Sequence, residues 1–182
     1  QISCPSCGSS QTVLNPGITM VVCEYCKTTI YWDEDQVLKA GEKSILAEGD
    51  TRLYYGATGS LSGKRYQVVG HVRYDHGKGS WDEWYLAIDG GGYAWLSEDE
   101  REMSLETRIE TNEAIPAFDN LVLARPVNIA DTTYTVREKG TATCKGGEGQ
   151  LPFTVLPGST YPYADITSVD GQQFATLEYD EG

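Results

Sequence analysis

The chain has 182 residues, 40% of them hydrophobic, with 12 Tyr and 4 Trp, enough for a packed core and too many for a disordered segment. Its 14 basic and 27 acidic residues leave a formal net charge of −13, a field that repels phosphate backbones and disfavours nucleic acid as a partner. No run approaches the roughly eighteen apolar residues of a membrane span, so the expected setting is cytoplasmic.

The first feature in chain order is also the most specific. Cys4-Pro5-Ser6-Cys7-Gly8 and Cys23-Glu24-Tyr25-Cys26 are two C-x2-C pairs, at a separation that matches a tetrahedral four-thiolate zinc site. Each pair lets two thiolates converge on one ion while backbone N–H groups of the turn point at the sulfurs. Pro5 fixes φ inside the first turn, and Gly8 permits a positive φ just after it. Paired disulfides are one rival, but no signal-peptide pattern precedes Cys4. Iron is the other, because Cys-Pro-x-Cys-Gly occurs in both knuckles of rubredoxin; the second knuckle here, ending in Lys27, lacks the Pro and the Gly. The expectation is one structural Zn2+ on Cys4, Cys7, Cys23 and Cys26, with no coordination position left for substrate. Lys27 is the only basic residue ahead of Lys39, a further argument against nucleic acid. Gln1 in place of Met suggests a piece excised from a longer protein.

Residues 1–32 are read as the zinc ribbon. Gln11 to Leu14 and Gly17 to Val22 have strand composition, with Asn15-Pro16-Gly17 as the turn of a hairpin between them, and Ile30 to Trp32 as a short third strand. Residues 33–50 are acidic and polar and are read as a linker. From Thr51 the pattern is almost entirely β. Lys64 to Tyr74, Trp84 to Ile88 and Tyr93 to Leu96 alternate apolar and polar residues, and Gly90-Gly91-Gly92 marks a hairpin. Ser97 with Glu100 has the form of a helix-capping box, but Met103, Leu105, Thr107 and Ile109 recur at period two, so a strand is expected there.

Residues 51–182 contain a weak internal repeat, about 51–110 and 118–182. Gly63 to Val68 recurs as Asp131 to Val136, matching Tyr66 with Tyr134. Asp89 to Leu96 recurs as Asp170 to Leu177, and the second copy carries extra residues, among them Leu151 to Gly158. Each copy is expected to be a small curved antiparallel sheet with one apolar face, and two such sheets face to face bury both. The expected fold class is mainly β: a zinc ribbon followed by a duplicated antiparallel domain of sandwich or barrel type.

Candidate chemistry downstream is sparse. His71 and His76, five apart on a strand, point to opposite faces, and a solvated or satisfied histidine is the simpler reading. Asp82 and Glu83, between Trp81 and Trp84, have the composition of a sugar-cleaving pair, yet adjacent strand residues face opposite sides and cannot share a substrate. Gly90-Gly91-Gly92 lacks the Lys and Ser/Thr of a phosphate loop and is a turn. Cys144 reads as a small strand residue. Trp81 and Tyr74 are the candidates for an aromatic surface patch that binds a partner.

The two knuckles, Gly63 to Gly70, Trp81-Asp82-Glu83-Trp84-Tyr85-Leu86, Tyr93 to Glu98 and Tyr161 to Tyr179 together resemble an uncharacterised bacterial domain-of-unknown-function family. In that family a four-cysteine ribbon often precedes a duplicated β-rich domain. The resemblance implies an accessory or adaptor role in envelope-stress or polyamine-linked gene sets, and it carries over no established activity. With a closed metal site and no convergent polar constellation in the sequence, the expected function is a non-enzymatic module that binds protein or peptide. The alternative is a binder of small cationic ligands such as polyamines, which the charge of −13 would suit.

Overall fold

The computed structural model describes residues 1–32, 38–107, 109 and 114–179. Among these the fold is all β. The strands are β1 (Ile2–Ser3), β2 (Ser10–Gln11), β3 (Met20–Val22), β4 (Thr28–Trp32), β5 (Leu38–Lys43), β6 (Thr58–Leu61) and β7 (Lys64–Asp75). They continue as β8 (Ser80–Ile88), β9 (Tyr93–Asp99), β10 (Glu102–Glu106), β11 (Pro126–Ile129), β12 (Thr132–Leu151), β13 (Thr160–Ser168) and β14 (Phe174–Glu178). One 3-10 turn spans Phe118–Asn120. Among the described residues the sheets are antiparallel and do not close into a barrel. No helix among the described residues is long and apolar enough to cross a membrane.

The chain forms two compact units, Gln1–Arg108 with Cys144–Ser159, and Ile109–Thr143 with Thr160–Gly182. In the first, the strands run in the order β10-β9-β8-β7-β12-β3-β4-β5, with β6 also on β7 and β1–β2 as a separate pair. In the second, β11, the first part of β12, β13 and β14 pair in sequence order.

The duplication is visible bond by bond. In the first repeat Gly56 N–H donates to Val68 O and Val68 N–H to Ala57 O; in the second Ala124 N–H donates to Val136 O and Val136 N–H to Arg125 O. A β-bulge falls at the same place, between Val68 and Gly70 in β7 and between Val136 and Glu138 in β12. The hairpin between β6 and β7 turns on Ser62 and Gly63, and that between β11 and β12 on Ala130 and Asp131; all four have positive φ, as a two-residue turn matched to strand twist requires. The cores correspond as well: Ala57, Val68, Trp84 and Leu86 in the first repeat, Leu121, Val136, Ala164, Ile166 and Leu177 in the second.

Several elements differ from the sequence reading. The hairpin expected between Gln11–Leu14 and Gly17–Val22 does not form: β2 pairs β1, and β3 pairs β4 and the end of β12. Asn15 still makes the turn, its Oδ1 accepting from Gly17 N–H at 2.8 Å, but this turn joins two hairpins. Leu38–Lys43, inside the stretch read as a linker, is β5 and pairs β4 through Tyr31↔Lys39 and Trp32↔Leu38. The open edge of β4 recruits it despite its polar sequence; residues 33–37 lie outside the described set. The strand expected from Met103 is β10, joined to β9 by a turn with positive φ at Glu100 and Arg101, which rules out the helix cap. Its period-two run ends at Glu106, before Thr107 and Ile109.

Strand β12 is the largest surprise. Its 20 residues begin beside β13 and end beside β3, with Gln150↔Val21 and Leu151↔Met20 in register. Close approach to β7 explains the glycines here: a Cβ on Gly70 would sit 2.1 Å from the Gln150 carbonyl oxygen, and one on Gly147 would sit 2.6 Å from that of His71. Bulkier residues would force the two strands apart.

Candidate metal centre

Each cysteine pair sits at the tip of a minute hairpin, β1–β2 for Cys4 and Cys7, β3–β4 for Cys23 and Cys26. The two tips are built alike. Gly8 N–H donates to Cys4 O and Lys27 N–H to Cys23 O, both at 2.9 Å; Cys4 N–H donates to Ser9 O and Cys23 N–H to Thr28 O. The residue after the second cysteine is left-handed in both, with φ of 77° at Gly8 and 61° at Lys27. Glycine adopts this freely and lysine at a cost of about 1 kcal/mol. The missing glycine therefore leaves the second knuckle's shape unchanged.

The four ligand atoms of Cys4, Cys7, Cys23 and Cys26 all lie within 4.8 Å of one another. Cys4 Sγ is 3.7 Å from Cys26 Sγ, and Cys7 Sγ is 3.8 Å from Cys23 Sγ, each contact joining one knuckle to the other. A regular tetrahedron with metal–sulfur bonds of about 2.3 Å has edges of about 3.8 Å. The cysteines are free thiols, far from the disulfide separation of about 2.05 Å. The donors, their number and their spacing fit a single four-coordinate metal ion.

Polar groups are arranged around the sulfurs in the same pseudo-symmetric way. Ser9 Oγ lies 3.1 Å from Cys7 Sγ, and Thr28 Oγ1 lies 3.2 Å from Cys26 Sγ. Ser9 also approaches Cys23 Sγ at 3.2 Å, while Gln11 Nε2 donates to Ser9 Oγ at 2.9 Å and to Cys23 Sγ at 3.4 Å. The Thr28 hydroxyl and N–H hold Cys26 down to about 6. Burial pushes Cys4 up to about 11, against the N–H groups of Cys7 and Ser6. Burial also raises Cys23, but the Cys26 N–H, the Ser9 hydroxyl and the Tyr25 N–H outweigh it and leave the thiol below its usual range. Ser9 and Thr28 escaped the sequence reading, although a signal existed: each stands two residues past the second cysteine of its knuckle.

The other candidates disperse. Tyr74 is buried and stacks against Trp81 at 5.2 Å, so of this pair Trp81, half-buried and donating to Glu83 Oε1, presents the accessible ring. His76 is half-buried, its ring 5.8 Å from that of Trp81. Gly90, Gly91 and Gly92 all have positive φ and form the β8–β9 turn. Cys144 is buried, and that burial pushes its thiol up to about 11, away from nucleophilic use. Asp82 and Glu83 face opposite ways, as strand geometry demands.

His71 lies in a buried polar cluster that no sequence pattern announced. Its Nε2 is 2.5 Å from Asp82 Oδ1, its ring stacks on Trp84 at 3.8 Å, and its Nδ1 is 3.7 Å from Glu148 Oε2. Arg73 donates to the same Asp82 from Nε at 2.8 Å and to Ala47 O from Nη1, and Trp84 Nε1 donates to Glu98. The His71 imidazole holds Glu148 below the usual carboxylate range. Ladder pairs His71↔Trp84 and Arg73↔Asp82 assemble the cluster, and register is not readable from one strand alone.

These features define a class: a β-rich protein with an N-terminal cluster of four cysteines able to hold a metal. The model of one family, described as "Domain of unknown function (DUF4178)", matches residues 55–182, and the chain belongs to that family. No curated protein and no solved structure matches.

Proposed function

We propose that this chain is a non-enzymatic accessory module that binds a protein or peptide, its N-terminal ribbon held by one structural Zn2+ on Cys4, Cys7, Cys23 and Cys26. The observation that carries the reading is the thiol set: four sulfur donors at tetrahedral spacing complete the shell of such an ion, which then shapes the chain and performs no turnover. The His71–Asp82 pair is committed to Arg73 and Trp84 in the interior, which supports a structural role over acid–base chemistry. Trp81 is the aromatic contact nearest the surface on β8. The family resemblance favours an accessory place in a bacterial envelope-stress or polyamine-linked system, and the charge favours a basic partner. The test is affinity capture from a bacterial lysate followed by reconstitution with each captured protein purified. One-to-one, saturable binding that weakens with Trp81→Ala supports the reading; capture of nothing that rebinds contradicts it.

The charge of −13 favours a second reading, a binder of small cations such as spermidine. Titration calorimetry decides it. Saturable heat that persists from low to moderate salt supports a specific site, and heat that vanishes marks mere counterion attraction.

A further inference from the structure

The strand segment that lies against the His71 cluster is rich in glycine. Past Thr143, the last residue laddered to β13, β12 runs on between β7 of the first repeat and β3 of the ribbon. Gly146, Gly147 and Gly149 fall in this seam, and Gly146 and Gly149 have positive φ of 136° and 71°. Such glycines weaken a strand and give it no side chains to pack, so the seam depends on what clamps it. The clamp is the N-terminal part of the chain. The Ser44 hydroxyl donates to Gly147 O and accepts from Gly147 N–H, both at 2.6 Å. Ser44 hangs in turn from the second knuckle: its N–H donates at 2.8 Å to the carbonyl of Lys27, the residue after Cys26. Further along the seam, Gln150 Oε1 accepts from Leu14 N–H at 2.9 Å and its Nε2 donates to Thr12 O at 2.6 Å. Ser44 and Gln150 are both buried. Ser44 also begins the stretch 44–49, which covers Arg73: Ala47 O accepts from Arg73 Nη1 at 2.8 Å, and a Cβ on Gly49 would strike the guanidinium.

We infer that the seam and residues 44–49 form a metal-dependent cover. While Cys23 and Cys26 share one coordination shell with Cys4 and Cys7, Lys27 positions Ser44 and the cover stays closed over His71, Asp82 and Arg73. When the shell is lost, Ser44 loses its anchor, the cover opens and water reaches the cluster. What lies beneath favours opening. His71 Nδ1 is buried with no hydrogen-bond partner among the described residues, and Glu148 Oε2, at 3.7 Å, is too far to bond it. Burying an unpaired nitrogen beside the Arg73–Asp82 ion pair costs free energy that water would relieve, so only the clamp keeps the cover down. The inference rests on the metal reading above and goes beyond it. Metal loss is felt outside the ribbon, in the first repeat, but stops short of β8 and β9, which have their own ladder and the Ala57–Val68–Trp84–Leu86 core.

The test uses the 182-residue chain, loaded with Zn2+ or stripped by a chelator and kept reduced throughout. Mass spectrometry reads amide hydrogen exchange and the acylation of histidines by diethyl pyrocarbonate. Stripping should speed exchange in 44–49 and 146–151 by roughly tenfold or more and open His71 to acylation, leaving β9 protected. His76, which lies outside the cover, is the reference and should react alike in both states. Restored Zn2+ should reverse both changes. In the zinc-loaded protein, Ser44→Ala should open the same two stretches roughly tenfold with one ion still bound, because both hydrogen bonds to Gly147 are lost. Gln150→Met, which keeps the bulk and removes the bonds to Leu14 and Thr12, is the second variant and should loosen 149–151 in the same way. Exchange that changes only within residues 1–32 on stripping, uniform loss of β7, β8 and β9, or an unchanged seam in both variants overturns the inference while the metal reading stands. A chain that takes up no metal overturns both.

Discussion

Ser9 and Thr28 occupy the same place in the two knuckles, each with its hydroxyl against the second cysteine of its pair. Hydroxyls so placed donate to a thiolate, stabilising its charge and fixing its direction. Outer-shell groups of this kind are worth about ten- to a hundredfold in metal affinity. Ser9→Ala and Thr28→Ala should each weaken zinc affinity by about tenfold while leaving one ion bound at saturation, as read by chelator competition; unchanged affinity would refute the role. The pH dependence has a definite sign. Cys26 is held down to about 6, so its thiolate is available to a metal above that value and is protonated below it. Zinc release should therefore steepen as pH falls through about 6, monitored with a chromogenic chelator; flat retention to pH 4 would contradict this. Asp82 carries a different weight, because both His71 and Arg73 lean on it in the interior. Asp82→Ala strands a nearly buried guanidinium, and a loss of about 3 kcal/mol is expected from denaturant unfolding. A loss below about 1 kcal/mol would mean water replaces the carboxylate.

At the scale of elements, the two repeats provide an internal control. The β11–β12 turn holds Ala130 at φ 49°, where a Cβ is strained, so Ala130→Gly should stabilise the second unit by about 0.5 to 1 kcal/mol. Gly70→Ala, whose Cβ would strike the Gln150 carbonyl, should cost about 2 kcal/mol or more in the first. Hydrogen exchange of β13 and of β8 reads the two units separately; a change of the opposite sign in either would refute the backbone argument. The strands of the repeat were legible because β7, β8 and β9 alternate or turn on glycine, and the pairing of Tyr66 with Tyr134 was visible in composition. Strand β5 was not, because Leu38–Lys43 carries no apolar pattern and is strand only through the edge that β4 offers. The length of β12 was hidden too: glycines that normally punctuate strands here permit close approach to β7. The four cysteines were legible from spacing alone, while the His71–Asp82–Arg73 cluster depends on cross-strand register.

At the scale of the whole molecule, duplication has been followed by divergence. The positions of His71, Asp82, Trp84 and Glu98 in the first repeat are taken in the second by Lys139, Pro162, Ala164 and Tyr179. Where the first repeat has stacked aromatic rings, the second has a polar pair. One copy thus carries the buried polar cluster and the stacked rings, and the other keeps a plainer sheet. The thiol cluster belongs to the same compact unit as the first copy, so a metal held there would be linked to the folding of that unit.

X-ray absorption at the zinc edge of the purified protein probes that metal most directly. A first shell of four sulfurs near 2.3 Å, with no oxygen or nitrogen, is the outcome expected of an ion sealed by Cys4, Cys7, Cys23 and Cys26. A light-atom ligand in that shell, iron in place of zinc, or thiols oxidised to disulfides would contradict it.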